Sequence, residues 1–202
     1  AASDVYKRQD TTVEDGKEYT YKYGLKNLGL TIKYVDEDGE ELQTATGREL
    51  LYGGSYDLVT DNTIENARVI TVGTGSDEKQ YVLDSIEGAV TGNNVTEAVT
   101  VTLVYSLDED ENEVPDKYQA TVSYKVEGGT FKEAEGTDKT TVTQTYNMKK
   151  WDEASKTWVD DPKKLENIPT PEAGTGYDPA SGAWVGEEPT NDTTVEDGKE
   201  YT

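Results

Sequence analysis

The eleven residues DTTVEDGKEYT occur twice in this 202-residue chain, at positions 10–20 and 192–202, without a mismatch. Self-similarity at a spacing close to the whole length limits the architectures open to the chain, because it marks an array in which each unit touches mainly its neighbours. The first copy continues into YKYG, whereas the second ends at Thr202. This predicts a window on a longer tandem array, slightly more than one period of a two-module unit. A duplication inside a closed globule, or an array end joined to its own start, would leave the same pair of segments.

Hydrophobic alternation places strands along the chain. Tyr19, Tyr21 and Tyr23 alternate with Thr20 and Lys22, a period of two that predicts a strand over 18–24. Leu30, Ile32 and Tyr34 form one face of a second strand over 28–36, and Asp38-Gly39 signals the hairpin that follows it. Further β runs are expected near 55–60, 67–72 and 81–87, with a short helical turn near 60–66. Val99, Val101, Leu103 and Tyr105 alternate with threonines and close this module. Residues 107–117 (LDEDENEVPDK) are acidic, contain a proline and read as a linker. Beyond it, strands are predicted over 122–126 and 140–146. Two nine-residue pieces, WDEASKTWV at 151–159 and YDPASGAWV at 177–185, share a pattern that predicts two β-hairpins with aromatics meeting across them. The two prolines of LENIPTPEAG predict an extended run between them, as a connector or an edge.

The chain then divides as follows: 1–9 a non-native or scar segment, 10–24 an orphan closing strand of a preceding module, 25–106 a β module, 107–117 an acidic linker, and 118–202 a second β module truncated at its last strand. The fold class expected is mostly β, with two small tandem modules and at most short helical turns. The 10–24 segment, cut off from its parent sheet, should pack poorly or borrow an edge it does not normally own.

Composition narrows function. With 42 acidic and 19 basic residues the formal charge is −23, a field that repels nucleic acid and anionic lipid. Self-repulsion along the acidic linker predicts modules kept apart at moderate salt and compacting as screening increases. A hydrophobic content of 33 % with this charge leans toward disorder, but the alternating runs argue for folded strands, and abundant tyrosine, threonine and valine suit half-buried β surface. There is no cysteine and no histidine, which removes disulfides, thiol nucleophiles, cysteine-based zinc sites and a Ser-His-Asp triad. No apolar run approaches the ~20 residues of a membrane-spanning helix.

Candidate chemistry is sparse. Asp108, Asp110 and Asn112 fit the start of a calcium loop, but Glu113 stands where glycine is needed and Gln119 where the bidentate glutamate is needed; with two expected positions failing, a solvated acidic linker is the better reading. Glycoside hydrolysis with retention would need two carboxyls ~5 Å apart in a cleft, and nothing in the sequence selects a pair. Trp151, Trp158 and Trp184 could stack on sugar rings or fill a small core. Burial of all three would remove the best support for glycan stacking. Gly53-Gly54 and Gly128-Gly129 lack the context of a phosphate cradle and read as turns. An intramolecular Lys–Asn or Lys–Asp isopeptide bond would need a buried lysine, an amide or acid partner and a catalytic acid, and the sequence picks out no such trio. No catalytic, metal or cofactor residue is assigned, and the ligand-binding residues stay open.

The segments LTIKYVDEDGEEL, LLYGGSYDL and VTVTLVYS resemble the mucin-binding-protein (MucBP) repeat of Gram-positive surface proteins over about 28–106. ATVSYKVEGGTF, IPTPEAGTGYDPASGAWVGEEPT and KEYTYKY are similar to the SHIRT-type and Listeria–Bacteroides-type surface repeats over about 118–202. The resemblance implies β-grasp-like modules in series within a cell-wall-displayed stalk or adhesin. Host mucin or other glycans and neighbouring repeats of the same chain are its implied partners, with no enzymatic activity, no cofactor and no membrane insertion in this segment. No family-defined binding residue carries over. Neither a signal peptide nor a Leu-Pro-x-Thr-Gly motif occurs in these residues, so wall attachment rests on the resemblance.

Overall fold

A computed structural model describes residues 15–18, 20–134 and 139–202. The fold is mostly β, with one short helix and three 3-10 turns among the described residues. The first core is built on β1 (Leu30–Asp36), β2 (Glu41–Arg48), β3 (Tyr56–Asp57), α1 (Thr63–Asn66), β4 (Val69–Val72), β5 (Lys79–Glu87), β6 (Thr91–Gly92) and β7 (Val99–Asp108). Five of these strands form a sheet in the order β2-β1-β7-β5-β4. Its centre is the parallel pair β1/β7, in register from Leu30↔Val99 to Asp36↔Tyr105. The alternation read from the sequence explains this placement: Leu30, Ile32 and Tyr34 of β1 and Val101, Leu103 and Tyr105 of β7 all point into one buried cluster. Leu58, Ile64 and Ala67 from the β3–α1 region cover it. The buried Tyr105 hydroxyl donates to the Ala67 carbonyl (2.6 Å), tying α1 to the sheet. Burial pushes that hydroxyl's pKa well up, with the neighbouring Tyr34 adding to the effect, so it stays a donor. The β1–β2 turn forms as expected: the Asp36 carboxylate accepts from the Asp38 and Glu40 amides, and Gly39 takes φ +84.

The second core uses β8 (Gln119–Lys125), β9 (Gly129–Phe131), β10 (Thr141–Asn147), β11 (Lys149–Asp152), β12 (Thr157–Asp160), β13 (Pro171–Ala173) and β14 (Lys199–Tyr201). Its main sheet has the order β10-β8-β14, with β8 and β14 parallel. Ala120, Val122 and Tyr124 of β8 turn inward with Phe131, Leu165, Val195 and Tyr201. Tyr201 stacks on Tyr124 at 5.6 Å between ring centroids. The second copy of the repeated sequence therefore supplies the closing strand of this sheet.

Three sequence expectations change. Residues 177–185 do not form a hairpin: Pro179–Ser181 is a 3-10 turn capped by Asp178, and no strand lies between it and β14. In the hairpin that does form, β11/β12, Lys156 sits at φ +54 and closes the loop. Its counterpart Gly182 instead adopts φ −66, ψ 134, and the chain runs on extended so that Trp184 packs against Tyr124 and Tyr201. Residues 20–24 carry no strand. Alternation gives them an aromatic face, but a strand needs a neighbour to satisfy its backbone. Tyr21 and Tyr23 stand 82 % and 90 % exposed and contact one another edge-on. Glu18 carries no strand either, and Tyr19, together with residues 1–14, lies outside the described residues. Finally, the stretch 107–117 does not hold the two cores apart, because a hairpin of the second reaches onto the first.

Candidate functional site

The contact between the cores starts from a β-bulge. In the β5/β7 ladder Leu83 opposes Tyr105 and Ser85 opposes Val104, leaving Asp84 as the extra residue. A bulge re-aims the groups around it, and here it turns the Leu83 carbonyl and the Asp84 carboxylate toward the second core. The Trp158 indole N–H donates to Leu83 O (2.9 Å). The Tyr118 hydroxyl donates to Asp84 Oδ1 (2.6 Å), and Lys117 Nζ to Asp84 Oδ2 (2.9 Å). Lys117 also pairs with Glu37 at the β1–β2 turn.

The β11–β12 hairpin delivers the aromatics. Trp151 and Trp158 face each other across its ladder, with centroids 5.6 Å apart in an edge-on arrangement. Trp158 packs on Tyr118 at 5.5 Å, and Trp151 packs against the cluster of the first core. Arg68, next to α1, lies 5.9 Å from the Trp151 ring centroid and pairs at the periphery with Glu113 and Glu153. Lys156 reaches Glu65 of α1 at 3.5 Å.

Magnitudes rank these contacts. Removing about 100 Å² of indole from water is worth roughly 2.5 kcal/mol at the usual coefficient. The hydrogen bond to a charged carboxylate adds about 1.5–3 kcal/mol, whereas each exposed ion pair adds no more than about 1 kcal/mol. The hairpin and Tyr118 hold the joint, and the rim charges orient it. Burial alone would lower the Lys117 pKa, but its bonds to Glu37 and Asp84 outweigh that and raise it. Burial, reinforced by the Asp84 charge, raises Tyr118.

The stretch 108–116 is a folded turn beside this joint. The buried Asp108 side chain accepts from the Asn112 and Glu113 amides and from Gln80. Asp116 accepts from the Glu109 amide, and carboxylate oxygens of Asp108, Asp110 and Asp116 lie within 4.8 Å of one another. Of the residues expected for a calcium loop, Asp108 and Asp110 are thus brought together with Asp116. Asn112 donates to Asp110 through its side chain and Gln119 does likewise, so those two serve as internal donors. Desolvation, followed by the nearby acids, raises the Asp116 pKa. The protein's own amides meet the charge in this turn.

A second concave feature is an open polar groove on the first core. The Arg48 guanidinium bonds the Asp61 carboxylate and the Thr63 hydroxyl there, beside Gln43, Asn66 and Tyr34. Burial pushes Asp61 upward, but donors from Thr63 and Arg48 prevail and hold its carboxyl below the usual range. Asp61 is the single carboxylate among the groove's lining residues.

All three tryptophans are half-buried and packed on protein, and Trp151 and Trp158 line a shallow concavity beside Arg68 and Lys149. No lysine among the described residues is buried, as an isopeptide bond would require. Tyr118, Asp84 and Arg68 escaped the sequence reading. A bulge depends on cross-strand register, which no local pattern encodes, although an aromatic immediately before a strand was a usable hint at Tyr118.

Residues 29–106 match the family model described as the MucBP domain. The match spans the first core from just before β1 into β7 and takes in less than half of the chain. Among curated proteins, none matches the chain. The first core, which carries both the polar groove and the bulge that receives the hairpin, is therefore the MucBP-matching part of the molecule.

Proposed function

We propose that this chain is a non-enzymatic stalk segment of a bacterial, Gram-positive cell-surface protein, exposed outside the cell on the wall. In this reading a MucBP-type module over 25–106 is coupled through 107–117 to a second surface repeat over 118–202, with 10–24 as the closing strand of a preceding module. Both central sheets place a first and a last strand side by side in parallel, which supports a β-grasp-like reading for each. The observation that carries the proposal is the tryptophan hairpin seated on the Leu83–Ser85 bulge. A stalk gains reach from each module only if its joints resist folding back, and a half-buried indole with a hydrogen bond supplies that resistance. Small-angle scattering tests this. The parent chain should scatter as one rigid particle whose radius of gyration does not change between about 0.05 and 0.5 M salt, a range over which exposed charges go from weakly to strongly screened, while Trp158→Ala should become larger and salt-sensitive. A salt-dependent radius in the parent chain would refute it.

A second role, adhesion to host mucin glycans, is supported by the MucBP match and the Arg48–Asp61 groove. The groove offers a guanidinium, amides and hydroxyls in an open concavity, the groups that bind sugar hydroxyls. One carboxylate does not make an acid–base pair, so the groove is suited to binding rather than hydrolysis. Immobilised mucin should bind the chain saturably, and Arg48→Ala with Asp61→Ala should weaken that binding at least tenfold. An unchanged affinity in the double variant would remove the groove from the account.

A further inference from the structure

Around the joint, Lys117, Lys156 and Lys163 each donate to a carboxylate. Three neighbouring cations do not. Among the described residues, the side chains of Arg68, Lys149 and Lys150 make no hydrogen bond, and the acids they pair with stand off. Glu153 lies 3.7 Å and Glu113 3.8 Å from Arg68, Asp160 3.5 Å from Lys149, and Asp161 3.9 Å from Lys150. All three cations line one shallow concavity of about 340 Å³ where the two cores meet, with Trp151 and Trp158 on its apolar side. Two of its acids are already engaged elsewhere: Glu153 accepts from Lys156 at 2.6 Å, and Asp161 from Lys163 at 2.5 Å.

Hydrogen bonding in the same concavity is also short of an acceptor. Arg68 Nε and Trp151 Nε1 are closed to water and have no partner, although buried donors are nearly always satisfied. Lys156 chiefly, and the Trp151 N–H least, hold the Glu153 carboxyl below its usual range, yet the indole makes no bond to it. Charge and hydrogen bonding therefore lack the same thing, an anionic oxygen beside Arg68 and Trp151. The Arg68 side chain keeps 23 % of its surface exposed, so an anion can meet the guanidinium from the concavity. The chain's charge of −23 repels a polyanion but penalises a single charge far less. The volume sits at the low end of the range for small-molecule sites, about 300–1,000 Å³.

We propose that this concavity binds one sugar residue carrying a carboxylate or a sulfate group. The anion sits on Arg68 and the Trp151 N–H, Lys149 and Lys150 add attraction, and the ring lies against the indoles. A guanidinium suits either group because it offers paired, parallel N–H donors. Sugar hydroxyls find the side-chain amides of Asn112 and Asn147, which also line the concavity. This inference rests on the adhesion reading above and gives it a charged subsite at the joint, apart from the Arg48–Asp61 groove.

Titration of the full chain, followed by its indole N–H signals in a heteronuclear NMR spectrum, tests the site. The probes are N-acetylneuraminic acid and a sulfated N-acetylglucosamine, with uncharged N-acetylglucosamine and inorganic sulfate for comparison. One acidic sugar should bind saturably, at least tenfold more tightly than either comparison. It should move the Trp151 signal downfield as that N–H gains an acceptor, and leave the Trp184 signal in place. Saturation by the first probe identifies the carboxylate as the anion, and by the second the sulfate. Lys149→Gln with Lys150→Gln should weaken binding at least tenfold, whereas the charge-matched Lys33→Gln with Lys79→Gln, at exposed sites on β1 and β5, should change it less than twofold. Equally tight inorganic sulfate, an unmoved Trp151 signal, or equal losses in the two double variants would each overturn the proposal. Binding to immobilised mucin without acidic-sugar binding would overturn it and leave the adhesion reading standing; absence of both would overturn the two together.

Discussion

At the scale of single residues, Trp158 and the Asp84 cluster carry the most consequence. Trp158→Ala forfeits roughly 2–3 kcal/mol of burial and hydrogen bonding at the joint, and calorimetry should resolve the single unfolding transition of the parent chain into two. Trp158→Phe keeps most of the area and loses the bond to Leu83 O, so it should cost only about 1 kcal/mol. The joint should also be alkali-sensitive. Lys117 and Tyr118 both have raised pKa values in the folded chain. For each, protonation is tighter when folded, so the stabilisation is complete below the unfolded pKa of about 10 and is lost as pH rises through the folded value. Tryptophan emission should accordingly shift to the red above about pH 10, in the parent chain but much less in Trp158→Phe.

Among the elements, the two related nine-residue pieces show what makes a hairpin. Both carry at the second position an aspartate whose side chain accepts a backbone amide two residues on: Asp152 from Ala154, Asp178 from Ala180. They part at the sixth position, where Lys156 is left-handed and Gly182 is not. A left-handed non-glycine residue costs about 1 kcal/mol, while the exposed ion pairs of Lys156 return about 0.5 kcal/mol each. Lys156→Gly should therefore leave stability within about 0.5 kcal/mol of the parent by chemical denaturation. The β7 strand, the β1–β2 hairpin and the helical turn were legible because alternation and turn residues are local. The extended course of 182–185 was not, because it is decided by Trp184 finding Tyr124 and Tyr201, partners distant in sequence. The five-stranded order and the Asp84 bulge were hidden for the same reason. An acidic segment also looks like a linker whether or not its carboxylates find amides, as Asp108 does.

Taken as a molecule, the chain joins two β cores by a hairpin rather than separating them by charge. The formal charge of −23 acts over a Debye length of about 10 Å, while the joint works at contact distance, so contact decides the geometry. The repeat that organises the sequence supplies, in its second copy, the closing strand of the second core, seated as β14. Double electron–electron resonance between spin labels at Thr44→Cys and Ser181→Cys, both exposed sites, measures the coupling directly. A single narrow distance, unchanged by salt and broadened by Trp158→Ala, is the predicted result; a broad distribution in the parent chain that Trp158→Ala leaves unaltered would contradict it.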